Sequence, residues 1–255
     1  MKFGACVGTS GEKIKVMKDA GFDYVETNLT EITAMSDEDF EAFLAVLNEN
    51  DIPCEASNCF IPGEYKLVGK DVDYRKISAY VSKALGRASR AGIQSAVFGS
   101  GAARKIPDGI SKEEAHKQLI YFLKEIVSPE AEKYGIRIAI EPLNKKECNC
   151  LNSVVEGVAV AKATGCDNIK TLADLYHVYL EEDQMDQIAA YQGEIIHSHI
   201  ANPVGRCYPL PGDGFDYAPF IKALAKAGCT RCSIEAGTKD FNAEAPLALN
   251  LLRTF

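Results

Sequence analysis

The stretch IAIEPLNKKECN, Ile138 to Asn149, is an apolar run that stops on a glutamate, meets a proline at once and then turns polar. One carboxylate closing a buried segment has an ordinary reading as a helix cap or an ion-pair partner. What Glu141 means depends on whether the rest of the chain repeats the pattern.

It does. Short runs rich in β-branched residues recur at KFGACV from Lys2, YVET from Tyr24, CEASN from Cys54, SAVFG from Ser95, RIAIE from Arg137, IKTLAD from Ile169, IIHSHI from Ile195 and RCSIE from Arg231. Between them lie helical patterns with apolar residues three and four apart, among them Asp37–Asn50, Tyr74–Gly92, Glu113–Gly135 and Ser153–Gly165. Gly21, Gly92, Gly135, Gly165 and Gly228 stand just past helices, where a left-handed residue satisfies the last carbonyls, and Ser111 with Glu114 fits a capping box. Pro129 interrupts the longest helical pattern and predicts a kink or a break.

Eight βα units in 255 residues predict an α/β fold, a (β/α)₈ TIM barrel, in one domain spanning residues 1–255. No G-x-G-x-x-G follows Val7, as a doubly wound nucleotide-binding sheet would require, and no Pro/Gly/Ser-rich linker divides the chain. A net charge of −8 repels polyanions, which argues against a nucleic-acid partner and for a small molecule. No window approaches a membrane span, and nine cysteines scattered through apolar segments read as buried hydrophobes in a reducing compartment, so a cytoplasmic location is expected. Self-association is left open.

In such barrels functional groups stand at the C-terminal ends of the strands. The fifth run ends on Glu141, the sixth on Asp174, the seventh on His199 and the eighth on Glu235. Neighbouring strands lie about 4.8 Å apart, so these four can converge on one cation over the barrel mouth. Three carboxylates and one imidazole suit a borderline-hard divalent ion, with Mn²⁺ favoured and Mg²⁺, Co²⁺ or Zn²⁺ as the other candidates.

The segments IEPLNKKECNCLN, LADLYHVYLEE, HSHIANPVGR and the final SIE resemble the metal-site segments of the sugar phosphate isomerase/epimerase barrels. This is the xylose-isomerase-like group that includes D-tagatose and D-psicose 3-epimerases. The spacings agree: Asp174 follows Glu141 by 33 positions, His177 follows Asp174 by three, and Glu147 follows Glu141 by six. Arg206 lies seven residues beyond His199 where six are expected, which places an insertion in the seventh βα loop. The resemblance implies that Glu141, Asp174, His199 and Glu235 bind the metal and that Glu147, His177 and Arg206 hold the O1 to O3 end of a sugar. It further implies that Glu141 and Glu235 move a proton through a metal-stabilised enediolate.

Ketose 3-epimerisation of a sugar or sugar phosphate is the first expectation. Aldose–ketose isomerisation and the dehydration or lysis of a keto-sugar or keto-inositol use the same ligands, and a non-catalytic sugar-binding barrel is a further alternative. An AP endonuclease of the same barrel group needs more histidines than the four present. The turn FGSGAAR, Phe98 to Arg104, reads either as a tight turn or as an anion cradle in which Arg104 meets a substrate phosphate or carboxylate. His197 is expected to pack below His199, His116 to be an ordinary helix residue, and Cys229–Cys232 to hold no zinc, since no second pair accompanies it.

Overall fold

In the computed structural model, which describes residues 1–182 and 185–255, eight parallel strands close into a barrel in chain order. They are β1 (Lys2–Cys6), β2 (Tyr24–Asn28), β3 (Cys54–Asn58), β4 (Ser95–Phe98), β5 (Arg137–Ile140), β6 (Ile169–Asp174), β7 (Ile195–Ile200) and β8 (Arg231–Ile234), with β8 pairing back onto β1. Every apolar run read from the sequence is one of these strands, and the architecture is the expected TIM barrel.

The period of two along each strand sorts residues between two cores. On β5, Ile138 and Ile140 join the large core between barrel and helices, whereas Ala139 joins a small cluster with Val97, Leu172 and Ile196. Glu141 therefore falls on the same side as Ala139, inside the barrel mouth. Ile196 is an extra residue: Thr171 pairs with Ile195 but Leu172 pairs with His197, and this bulge sets the phase that turns His197 and His199 inward. Lower in the barrel, Tyr24 crosses to bring its hydroxyl 2.9 Å from Ser233 Oγ. Gly4 is required beneath it, because a Cβ there would lie 2.4 Å from the Tyr24 ring.

The helices start and stop where side chains satisfy their free backbone groups. The hydroxyls of Ser36, Ser111 and Ser153 accept from the amides of Asp39, Glu114 and Glu156, each cap worth about 1 kcal/mol. Gly92 closes the helix Tyr74–Ala91 at φ 87°, a conformation costly for a residue with a Cβ. Pro129 does not break its helix. The segment Lys112–Tyr121 runs into a π-helical turn, Phe122–Val127, in which the Ser128 amide reaches back to the Leu123 carbonyl. That wide turn lets the chain restart at Ser128–Lys133 with the proline in the first turn, where no amide is needed.

At the N-terminal mouth, the Glu55 carboxylate of β3 accepts from Lys2 Nζ of β1 at 2.5 Å and from Arg231 Nε of β8 at 2.6 Å. This cluster braces the face opposite the candidate site.

Candidate active site

Four side chains meet at the C-terminal mouth as expected: ligand atoms of Glu141, Asp174, His199 and Glu235 all lie within 4.8 Å of one another. Nδ1 of His199 is 3.1 Å from Glu141 Oε1 and 3.5 Å from Glu235 Oε2. Asp174 caps the short helix Leu175–Leu180 by accepting the Tyr176 amide on Oδ1, while its buried Oδ2 has no hydrogen-bond partner. Three carboxylates crowded in low dielectric, one with an orphaned oxygen, fit a divalent cation by charge and by donor type.

The electrostatics carry the same message. Burial, then repulsion from Glu141, pushes Asp174 above the usual carboxylate range. Burial together with Glu141 and Asp174 does the same to Glu235. Burial also works against Glu141, but the hydrogen bond and charge of His199 outweigh it and hold this carboxyl low. Burial disfavours the His199 cation, yet the carboxylates of Glu26 and Glu235 keep the imidazole well above its ordinary value.

The loops build the outer part of the site. Asn144 organises it: its backbone amide and its Nδ2 both donate to His177 Nδ1, at 3.1 and 2.9 Å. His177 therefore carries its hydrogen on Nε2, which is buried without a partner 3.7 Å from Asp174 Oδ2. Asn144 Nδ2 also donates to Glu147. Arg206, at φ 48°, reaches across the mouth to Glu147 at 3.3 Å and Glu235 at 2.8 Å, its guanidinium 4.6 Å from the Tyr176 ring centroid. The cavity they enclose is about 300 Å³, with Glu147, His177 and Arg206 on its polar side and Ile61, Pro62 and Leu143 on its apolar side.

Arg104 is placed elsewhere. It is fully buried, donates from Nη2 to the backbone carbonyl of Glu141 at 2.5 Å, and packs against the Phe98 ring. Its expected encounter with an anionic substrate group is not supported by this placement: Arg104 is not among the residues that line the cavity, and its Nε and Nη1 are buried without a hydrogen-bond partner. The glycines of the same turn are spatial requirements: a Cβ on Gly99 would lie 2.2 Å from Glu141 Oε2, and one on Gly101 would lie 2.9 Å from Leu143. Ser100 Oγ accepts from the Ile61 amide, tying the turn to the cavity wall.

His197 lies below the site, fully buried, and His116 rests on its helix with Nε2 3.3 Å from the Cys150 carbonyl. Cys229 and Cys232 are free thiols at β8. Two residues went unread in the sequence: Asn144, hidden in a polar loop, and Glu26, a charge in the middle of the short second strand YVETN. Glu26 Oε2 lies 2.7 Å from His197 Nε2 and its Oε1 2.9 Å from His199 Nε2.

An eight-stranded barrel with three carboxylates and an imidazole gathered at its C-terminal mouth defines a class, the TIM barrels with a candidate metal site at the mouth. The chain belongs to the xylose isomerase-like TIM barrel family, whose model matches residues 14–254. It is 35% identical over 85 residues to a D-psicose 3-epimerase of Agrobacterium fabrum, covering 33% of this chain and 28% of that one. It is 31% identical over 103 residues to an L-ribulose 3-epimerase of Mesorhizobium japonicum, covering 40% and 34%. The aligned segments thus span about a third of each of these two curated relatives. The solved D-psicose 3-epimerase of Clostridium cellulolyticum H10 superposes over 100% of this chain and 99% of its own, with a TM-score of 0.85 at 23% identity. Among the described residues, no helix is long and apolar enough to cross a membrane.

Proposed function

We propose that this protein is a divalent-metal-dependent ketose 3-epimerase acting on a small uncharged sugar. The observation that carries the reading is the pair Glu141 and Glu235. They follow the non-adjacent strands β5 and β8, yet their oxygens lie within 4.8 Å of one another beside the cavity. The epimerase names of the relatives point the same way.

Glu141, Asp174, His199 and Glu235 would hold a divalent cation, with Mn²⁺ favoured, which would supply Lewis-acid polarisation of a ketose carbonyl and so acidify the neighbouring C–H. Glu147, His177 and Arg206 bind and orient the O1 to O3 end, with His177 donating from Nε2. One glutamate removes the C3 proton, the electron pair of the broken C–H bond passing toward the C2 oxygen. The other glutamate returns a proton to C3 from the opposite face, and the carbon is inverted. Asn58 and Arg206 donate to the two oxygens of Glu235, at 2.9 and 2.8 Å, which holds that carboxylate in place. A neutral substrate is supported by the lining of the cavity, which includes Arg206, already paired with Glu147 and Glu235, but not Arg104.

The test is incubation of Mn²⁺-loaded protein with a panel of ketoses, ketose phosphates and keto-inositols in D₂O, followed by NMR. Deuterium at an inverted C3 of an unphosphorylated ketose is the expected result. Label confined to C1 or C2 identifies an aldose–ketose isomerase, loss of a hydroxyl identifies a dehydratase or lyase, and no exchange in any sugar overturns the catalytic reading.

A further inference from the structure

Glu26 stands outside the four-residue cluster and outside the cavity, yet it is a fully buried carboxylate at the centre of the barrel. Its Oε1 and Oε2 face Nε2 of His199 at 2.9 Å and Nε2 of His197 at 2.7 Å. A carboxylate only accepts, so both imidazoles carry hydrogen on Nε2 and donate to it. Nδ1 of His197 is buried and has no partner, so among the described residues the side chain of this histidine is hydrogen-bonded through Glu26 alone. His199 is different. Its Nδ1 faces Glu141 and Glu235, and an imidazole has two nitrogens that a ring flip exchanges for carbons.

We propose that Glu26 is a positioning residue that sets the ring orientation of His199 and reserves Nδ1 as the nitrogen presented to the cation. This rests on the metal reading given above. The physical reason is geometric. With Nε2–H held by Glu26, rotating the ring would break a charge-assisted hydrogen bond inside the barrel and point a carbon at the cluster. Cys6, Glu26 and His199 also lie within 4.8 Å of one another, but here His199 Nε2 is already engaged by the carboxylate, as a positioning contact requires.

The experiment compares wild type, Glu26→Met and Glu26→Gln, each stripped of metal and titrated calorimetrically with Mn²⁺, and each loaded with diamagnetic Zn²⁺ for ¹⁵N-resolved NMR of the histidines. Wild type should bind one equivalent and show His199 with Nδ1 coordinated and a slowly exchanging Nε2–H. Glu26→Met keeps the volume and removes the acceptor, so Mn²⁺ affinity should fall about 10–100-fold and that proton should lose its protection. Glu26→Gln should recover much of the affinity, because its amide oxygen can still accept from His199 while His197 changes tautomer toward its free Nδ1. If Glu26→Met binds Mn²⁺ like wild type, or if wild-type His199 coordinates through Nε2, the inference is wrong. Two equivalents of metal with no Nε2–H resonance would place a second ion on Cys6 and Glu26 and also overturn it. A wild type that takes up no metal removes the metal reading itself, and this inference with it. Should Glu26→Met not fold, the wild-type spectrum and the Glu26→Gln titration decide.

Discussion

Glu141 Oε1 lies 3.1 Å from Nδ1 of His199, although 58 residues separate them and they belong to the ends of β5 and β7. Only barrel closure makes that contact, and with Asp174 and Glu235 beside it the pair forms a concentrated negative site. Chelation should therefore abolish activity and lower the melting temperature. Saturating Mn²⁺ or Co²⁺ at about 100 times Kd should restore about 2.7 kcal/mol of stability. Calorimetry with and without EDTA checks this, and an unchanged melting curve together with full activity after chelation speaks against a bound cation.

On the proposed two-base scheme, replacing either Glu141 or Glu235 should lower turnover by about 10²-fold or more. Because Glu141 and Glu235 are both in the ligand cluster, the metal content of Glu141→Gln and Glu235→Gln is measured first and rates are compared at equal occupancy. Each variant should still wash deuterium into the epimer whose proton its remaining carboxylate faces, without completing inversion. Unimpaired epimerisation by either one rules out the two-base scheme.

Gly99→Ala tests whether the glycine-rich turn serves Glu141. The new methyl would sit 2.2 Å from Glu141 Oε2, so the carboxylate must swing away from the cluster. Mn²⁺ affinity and turnover should both drop by about tenfold or more, as when a ligand's immediate supports are removed. The circular dichroism spectrum should stay native, since Gly99 is not among the positive-φ glycines. Wild-type metal affinity in this variant would show that the carboxylate has another place to go.

Stability at acid pH should depend on Glu55. Burial works against its carboxylate, but the hydrogen bonds from Lys2 and Arg231 prevail and hold it below its ordinary value. A depressed folded-state pKa contributes stability that is complete above the unfolded value, about 4.3, and is lost as pH falls through the folded one. Glu55→Gln should thus cost about 1–3 kcal/mol at neutral pH. The gap to wild type should close in denaturant titrations run well below pH 4. A gap that is constant with pH would assign the cost to packing instead of charge.

The strand ends were legible because they combine two local patterns. A β-branched run sets a strand, and a carboxylate or imidazole at its C-terminal end marks the barrel mouth, so Glu141, Asp174, His199 and Glu235 could be read one by one and assembled through the βα repeat. Glu147 and His177 lie within six and three residues of those markers, and their loops are short enough to keep them near. Arg104 shows where this reasoning stops. Proximity to a glycine turn predicts an outward cation, yet the direction of a long side chain is settled by what it packs against, and here Phe98 and the Glu141 carbonyl draw it inward. Pro129 is similar: a local rule predicts interruption, and a π-helical turn absorbs it.

By itself, then, the sequence determined the barrel, its strand order and the identity of the four converging side chains, because those follow from periodicities that each segment carries alone. The tertiary structure decided which nitrogen of each histidine is available, which face Arg104 takes, and that Glu26 stands beneath the site. These depend on partners 33 to 173 residues away that meet only when the sheet closes. A hydrogen bond between distant residues leaves no local pattern in a chain, and the chemistry of this mouth is made largely of such bonds.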